Sequence, residues 1–151
     1  MTLTKELESI LLDKCSQLGT SFLSKGGSKV LAQPSNRLLF AKLGPPDQVL
    51  GEAESLHAMY QASRAAGHDD TLIPTVHTYG LTPDRRKAYL VTDYKNLRSS
   101  LTSSGQRTLG KKLAQMHLHG TSENGMYGFA RPTHCGETVS VAAGTSARRS
   151  I

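Results

Sequence analysis

The 151-residue sequence has no tryptophan, only two cysteines and few aromatic residues. Cys15 and Cys135 lie far apart, and neither has a second cysteine or a spaced histidine pair nearby, so a zinc motif is excluded. This pattern favours free thiols in a reducing compartment over a disulfide. No apolar run approaches the roughly 18 residues that span a bilayer. Residues 1–8 contain acids and lack the apolar core of a signal peptide, so we expect a cytoplasmic protein without membrane contact.

Basic residues outnumber acidic ones by 18 to 12, which gives a net charge of +6. Such a charge suits an anionic partner, whether a nucleotide, a nucleic acid or a membrane surface. The bases are scattered, however, and the longest basic run is the three residues Arg85-Arg86-Lys87. Because no basic stripe alternates with aromatic residues, the sequence argues against a nucleic-acid-binding protein, which stays only as a minor alternative.

Hydrophobic periodicity predicts three helices and five strands. In chain order they are a helix over 4–18, strands over 20–23, 29–32 and 37–43, a helix over 47–66, a loop leading into a strand over 71–80, a strand over 87–93, and a helix over 105–119. Gly19 is the expected end of the first helix, and residues 121–136 are expected to form a loop. Because hairpins or short connections join the strands, the sheet should be mostly antiparallel and the fold α+β. The small, polar residues 140–151 are expected to be a disordered tail.

One stretch carries most of the functional information. An apolar strand, Leu38–Lys42, ends in a lysine, and a helix with Glu52 in its first turns follows. Kinase-type folds use a strand lysine and a helix glutamate in this way to hold a cation against nucleotide phosphates. Spacing alone favours the alternative, a solvated lysine and a solvated glutamate. Glu52 borders the apolar stripe of the helix, whereas Glu54 is expected to face solvent.

A two-glycine loop precedes that strand. Gly26 and Gly27 let the backbone approach a ligand closely, and the free N–H groups of such a loop can face phosphates. An ordinary hairpin turn is the alternative, and the loop matches neither GxGxxG nor GxxxxGK[ST].

Of the histidines, His77 is expected to be a half-buried strand residue. Met116 and His117 are expected to pack in the core rather than bind a ligand.

Several segments, in this order along residues 20–139, resemble the fructosamine/ketosamine-3-kinases (protein-ribulosamine 3-kinases), which are part of the kinase-like superfamily that includes aminoglycoside phosphotransferases. The segments are Phe40–Lys42, Gly51–Leu56, Ile73–Val76, Ala88–Tyr94, Leu109–His117, and the pair Tyr127–Phe129 and Thr133–Gly136. The resemblance implies an N-terminal helix at 1–19, a kinase-like N-terminal lobe at 20–97, with five strands and one packed helix, and the start of a truncated C-terminal lobe at 98–139.

The resemblance also implies a reaction and a site. The reaction is the ATP-dependent phosphorylation of the sugar 3-hydroxyl in ribulosamine or fructosamine adducts of protein lysines, a deglycation repair. Lys42 would contact the α- and β-phosphates, Glu52 would orient it, the glycine loop would cover the phosphates, and the backbone of 92–94 would hold the adenine. The implied ATP-binding residues are Gly26, Gly27, Ser28, Lys42, Glu52, Thr92, Asp93 and Tyr94. ATP is the implied cofactor, with Mg²⁺, and glycated protein lysines are the implied substrate.

The departures from the family pattern concern catalysis. The family carries its catalytic Asp in an HGDLWxGN segment, with a metal-binding Asp further on, and this chain contains neither. His117–Gly120 is followed by Thr121 and cannot substitute, so no catalytic or metal-binding residue is assigned. The resemblance is expected to end near Val139. We therefore expect little activity from the chain alone. A non-catalytic nucleotide- or partner-binding fragment, self-associating through the surface that a C-terminal lobe would cover, is the alternative.

Overall fold

A five-stranded antiparallel sheet organises the computed structural model, which describes residues 3–68, 72–97, 100–120, 133–135 and 138–140. The elements in chain order are α1 (Lys5–Lys14), β1 (Ser21–Ser24), β2 (Lys29–Gln33), β3 (Arg37–Gly44), α2 (Pro46–Ala65), β4 (Val76–Leu81), β5 (Ala88–Asp93), α3 (Ser103–His119), β6 (Thr133–Cys135) and β7 (Thr138–Ser140). The sheet order is β1-β2-β3-β5-β4, and β6 pairs with β7 separately. The predicted α+β fold is confirmed, and it fits a kinase-like N-terminal lobe.

The sheet has two different faces because side chains alternate along each strand. On one face Leu39 and Ala41 of β3 pack with α1 in the larger apolar cluster. That cluster comprises Leu7, Leu11, Cys15, Leu18, Phe22, Val30, Ala32, Leu39, Ala41 and Val91. We call this the α1 face. The opposite side, the α2 face, holds the smaller cluster Val49, Ala53, Ala88 and Leu90. Lys42 lies opposite Leu90 in the β3–β5 ladder and therefore belongs to the α2 face.

Helix α1 begins as predicted, because the Oγ1 of Thr4 accepts a hydrogen bond from the backbone N–H of Leu7 (3.3 Å). It ends at Lys14, so the predicted end at Gly19 is wrong. The chain turns first, through a bond from Leu18 N–H to the Cys15 carbonyl. Gly19 serves another purpose: a Cβ there would lie 2.7 Å from the backbone oxygen of Gln33, so only glycine allows this approach to β2.

Helix α2 follows β3 after a single intervening residue. Pro46 occupies its first turn, where the missing N–H costs nothing and the fixed φ favours helix formation. Val49 and Ala53 are fully buried in one cluster with Ala88 and Leu90 of β5. Burial of these side chains fixes the rotation of the helix about its axis. Glu52, beside Ala53, is consequently presented towards the edge of the α2 face.

Three further expectations are wrong, and all concern the second half of the chain. Helix α3 packs against α2 and buries Met116 as expected, but His117 is exposed, because the next residue of a helix points about 100° away. Residues 133–135 were expected to be loop and instead form β6, antiparallel to β7. The β-branched residues Thr133, Thr138 and Val139 favour strands, but three-residue strands are too short to show a period. Ser140, expected in the tail, belongs to β7; the predictions for 121–132 and 141–151 lie outside the described residues.

The described residues contain no helix long and apolar enough to cross a membrane.

Candidate functional site

Lys42 and Glu52 meet on the α2 face. The Nζ of Lys42 donates a hydrogen bond to the Oε2 of Glu52, which makes an ion pair between the end of β3 and the second turn of α2. The side chain of Lys42 is 24% exposed and that of Glu52 37% exposed. Both groups are therefore shielded but still reachable by a ligand. This arrangement differs from the solvated alternative, in which the two side chains would not touch.

The glycine loop lies beside this pair. The backbone oxygen of Ser28 accepts a hydrogen bond from the N–H of Ala41 (2.8 Å), the residue before Lys42. Gly26 and Gly27 have φ values of 99° and 54°, which L-residues rarely adopt, and both are exposed. The N–H groups of Gly27 and Ser28 have no protein acceptor within the described ranges. The loop therefore presents two backbone donors beside the strand that carries Lys42.

The end of β5 forms the other border of the site. Thr92 is buried, lies opposite Phe40 on the α2 face, and donates from Oγ1 to the Asp93 carbonyl oxygen (3.0 Å). The backbone N–H of Asp93 donates to Thr75 O, and that of Tyr94 donates to Leu38 O. The N–H groups of these two residues are thus already bonded within the protein.

Between the loop and β5 the α2 face is incompletely covered. Leu31, Leu38 and Phe40 of the central strands β2 and β3 are only half-buried, whereas their neighbours on the α1 face are buried. Helix α2 covers Ala88 and Leu90 further along β5 and leaves these three residues accessible. The result is an apolar surface bordered by the glycine loop, Lys42 and the end of β5.

The carboxylate of Asp93 does not join the site. Its Oδ1 lies 3.0 Å from Arg37 Nη2 and 2.9 Å from His77 Nε2, and Leu39, its register partner, belongs to the α1 face. Burial raises the pKa of Asp93, but the hydrogen bond from His77, the charges of His77 and Arg37 and a hydrogen bond from Thr75 outweigh it and lower the pKa. His77 is a half-buried strand residue, as expected, and its contact with Asp93 was not foreseen.

Sequence reasoning also missed Lys29. Its Nζ lies 4.5 Å from the centroid of the Tyr94 ring, on the α2 face. A signal was available, because Lys29 begins the strand that follows the glycine loop and antiparallel pairing with β3 places it on the same face as Lys42.

A family model described as fructosamine kinase matches residues 35–147. The chain belongs to the fructosamine kinase family. The matched range of this fructosamine kinase family member includes Lys42, Glu52 and the end of β5 but begins after the glycine loop. It also runs past Val139, where the resemblance was expected to end. Searches of curated proteins and of solved structures found no match.

Membership in this family indicates a kinase-like, phosphate-transferring function and the use of ATP. Within the described part of the chain, no three His, Cys, Asp or Glu side chains converge as a metal-binding group. The residues that are brought together offer an ammonium group and backbone N–H donors, which suit phosphate oxygens, beside a half-buried apolar surface. Cys15 is a free thiol, and burial raises its pKa to about 11, so it is not a reactive group of the site.

Proposed function

We propose that this chain binds ATP on the α2 face, as the nucleotide-binding part of a kinase that phosphorylates ribulosamine or fructosamine adducts on protein lysines. The contact between Lys42 and Glu52, beside the glycine loop, is the observation that carries the proposal. By the same proposal, 1–19 is an N-terminal segment that contains α1, 20–97 is the nucleotide-binding lobe and 98–139 begins a second lobe. A cytoplasmic location agrees with the free, buried thiol of Cys15.

The phosphate end of the proposed site is supported by charge and by backbone donors. Phosphoryl transfer depends mostly on positioning and on neutralising phosphate charge. Glu52 holds the Lys42 ammonium group in place, and two N–H groups of the glycine loop point to no protein acceptor among the described residues. A triphosphate would place its oxygens between these donors and so replace the solvent that they otherwise contact.

The adenine end is supported by the half-buried apolar surface of Leu31, Leu38 and Phe40, which a flat purine would cover. Since the N–H groups of Asp93 and Tyr94 are engaged elsewhere, these residues would contact the base through carbonyl oxygens or through the Tyr94 ring. Asp93 would act by its backbone alone, because its carboxylate is held by Arg37 and His77.

No catalytic step is assigned to this chain. It lacks the HGDLWxGN segment, and no side chain of the site is placed to accept a proton from a sugar hydroxyl. Mg²⁺ would accompany the nucleotide and neutralise part of its phosphate charge. We expect ATP binding without phosphoryl transfer, and steady-state turnover of a ketoamine-modified peptide well above background would refute this.

Calorimetric titration with MgATP tests the proposal. Lys42→Met keeps the length of the side chain but removes its charge and its donors, and we expect Kd to rise about tenfold or more, the loss typical of one charge-assisted hydrogen bond. Lys111→Met is the matched control, because Lys111 is exposed on α3 and outside the site. Equal affinities of the wild type and Lys42→Met would overturn the assignment.

A partner-binding role is the second candidate. Leu101, Leu113 and Leu118 are 49%, 37% and 77% exposed, on or just before α3. These exposed leucines are where a second copy or another lobe would pack. Sedimentation velocity across a concentration series should detect self-association that Leu118→Glu weakens. If the wild type sediments as a monomer at every concentration, self-association is contradicted.

A further inference from the structure

Lys29 and Tyr94 make a contact that the proposed phosphate site does not require. The Lys29 ammonium group lies 4.5 Å from the centroid of the Tyr94 ring, within the range of a cation–π interaction. Lys29 is the first residue of β2, directly after the glycine loop, and Tyr94 directly follows β5. Both residues are half-buried. The contact therefore joins the two borders of the incompletely covered surface.

The sheet register shows what lies between the two residues. Lys29 is opposite Phe40 in the β2–β3 ladder, and Phe40 is opposite Thr92 in the β3–β5 ladder. Strands two places apart in a sheet are separated by roughly 9.5 Å. To reach the ring of Tyr94, the side chain of Lys29 must therefore extend across β3. It does so on the α2 face, over the half-buried apolar surface to which the proposed function assigns the adenine.

We propose that Lys29 is a latch over the base subsite, and that a purine nucleotide binds by displacing its ammonium group from the Tyr94 ring. The inference rests on the proposed nucleotide-binding function. A purine and an ammonium group compete for the same electron-rich face of the tyrosine ring. Lys29 thus weakens binding of the base, whereas Lys42 strengthens binding of the phosphates. The two lysines of one face act in opposite directions.

Adenosine is the probe that separates these effects, because it has the base and lacks the phosphates. We expect Lys29→Ala to lower the adenosine Kd about two- to fivefold, as removal of one accessible cation–π competitor predicts. Lys29→Met keeps an apolar stem across the surface without the charge and should lower Kd less. Lys29→Arg should raise Kd, because a guanidinium stacks better on an aromatic ring. NMR titration follows these affinities even in the millimolar range.

The control for lost charge is Lys14→Ala. Lys14 ends α1, pairs with Asp13 and is remote from the α2 face, so its removal should leave the adenosine Kd unchanged. An unchanged or raised Kd for Lys29→Ala would overturn the latch. So would an equal gain of affinity in Lys14→Ala, because the gain would then reflect net charge alone.

A second measurement needs no ligand. The ε-protons of Lys29 lie next to an ammonium group that sits over a tyrosine ring. The ring current should therefore shift their resonances upfield. We expect this shift for Lys29 in the wild type and its loss in Tyr94→Leu, with the chemical-shift dispersion of the remaining residues confirming that the variant is folded. Addition of MgATP to the wild type should also remove it. Unshifted Lys29 ε-protons in the wild type would overturn the latch whatever the affinities.

The results for the two proposals can be told apart. If the wild type binds neither ATP nor adenosine, the nucleotide function fails and the latch fails with it. If ATP binding depends on Lys42 while Lys29→Ala leaves adenosine affinity unchanged, only the latch fails.

Discussion

The two faces of the central sheet differ in what covers them. On the α1 face, Leu39, Ala41 and Val30 are buried beneath α1, and the ionised groups around Asp93 lie at its edge. On the α2 face, the helix covers only one end, and the rest carries Lys42, Lys29 and half-buried apolar side chains. One set of strands thus supplies both a core and a ligand-facing surface, since alternate residues belong to opposite faces. The comparison predicts that substitutions on the α1 face change stability and those on the α2 face change binding.

The largest expected effect is on stability. Leu39 is fully buried on the α1 face, so Leu39→Ala leaves a cavity and should lower the free energy of unfolding by about 2–5 kcal/mol. Urea denaturation measures this change, and Leu12→Ala is the control, because Leu12 is 45% exposed and should cost less than about 0.5 kcal/mol. ATP affinity of the folded Leu39→Ala protein should stay near that of the wild type. Equal costs for the two variants would contradict the assigned core.

A smaller effect is expected at the edge of the α1 face, and it depends on pH. Asp93→Asn removes a carboxylate that Arg37 and His77 contact and should cost about 1–3 kcal/mol near neutral pH. Because the fold lowers the pKa of Asp93, the ionised form contributes stability above the unfolded value of about 3.9. That contribution is lost as pH falls through the lower pKa of the folded protein.

The difference in urea midpoint between the wild type and Asp93→Asn should therefore narrow as pH falls below about 4. A difference that stays constant from pH 7 to pH 3 would show that the carboxylate charge is not what stabilises this cluster. Adenosine affinity at neutral pH is the second readout. It should change little, since the Asp93 side chain lies away from the α2 face.

The smallest effect is expected at the rim of the sheet. Lys87 pairs with Glu6 of α1 (2.9 Å), but the two side chains are 53% and 33% exposed, so water and salt screen the pair. Lys87→Met should change the free energy of unfolding by less than about 1 kcal/mol, measured by urea denaturation at low salt. A larger loss would mean that this pair, rather than the apolar cluster, holds α1 on the sheet.

Local patterns predicted most of the fold. The apolar run before Lys42 and the apolar stripe of α2 each depend on neighbours in sequence, and both gave the right element. The misses depend on partners distant in sequence. Gly19 is explained by its approach to Gln33 and not by the helix before it. The strand at 133–135 needs its pairing partner before it can be recognised.

The candidate site also combines features that depend on neighbours in sequence with features that depend on distant partners. The contact between Lys42 and Glu52 joins a strand and a helix only ten residues apart. The family resemblance implied it, whereas spacing alone favoured two solvated side chains. The contact of Lys29 with Tyr94 spans three strands and requires the register of both ladders. The contacts of Asp93 with Arg37 and His77 likewise require three strands to be aligned. A single sequence therefore could not show that the Asp93 carboxylate is held away from the site while its backbone borders it.

A double-mutant cycle on MgATP affinity tests the central claim, that Glu52 acts on the nucleotide through Lys42. Calorimetry would compare the wild type, Glu52→Gln, Lys42→Met and the double variant. We predict that Glu52→Gln weakens binding several-fold in the wild type and has almost no effect once Lys42 is methionine, since the residue it orients is then gone. An equal loss from Glu52→Gln in both backgrounds would contradict the account.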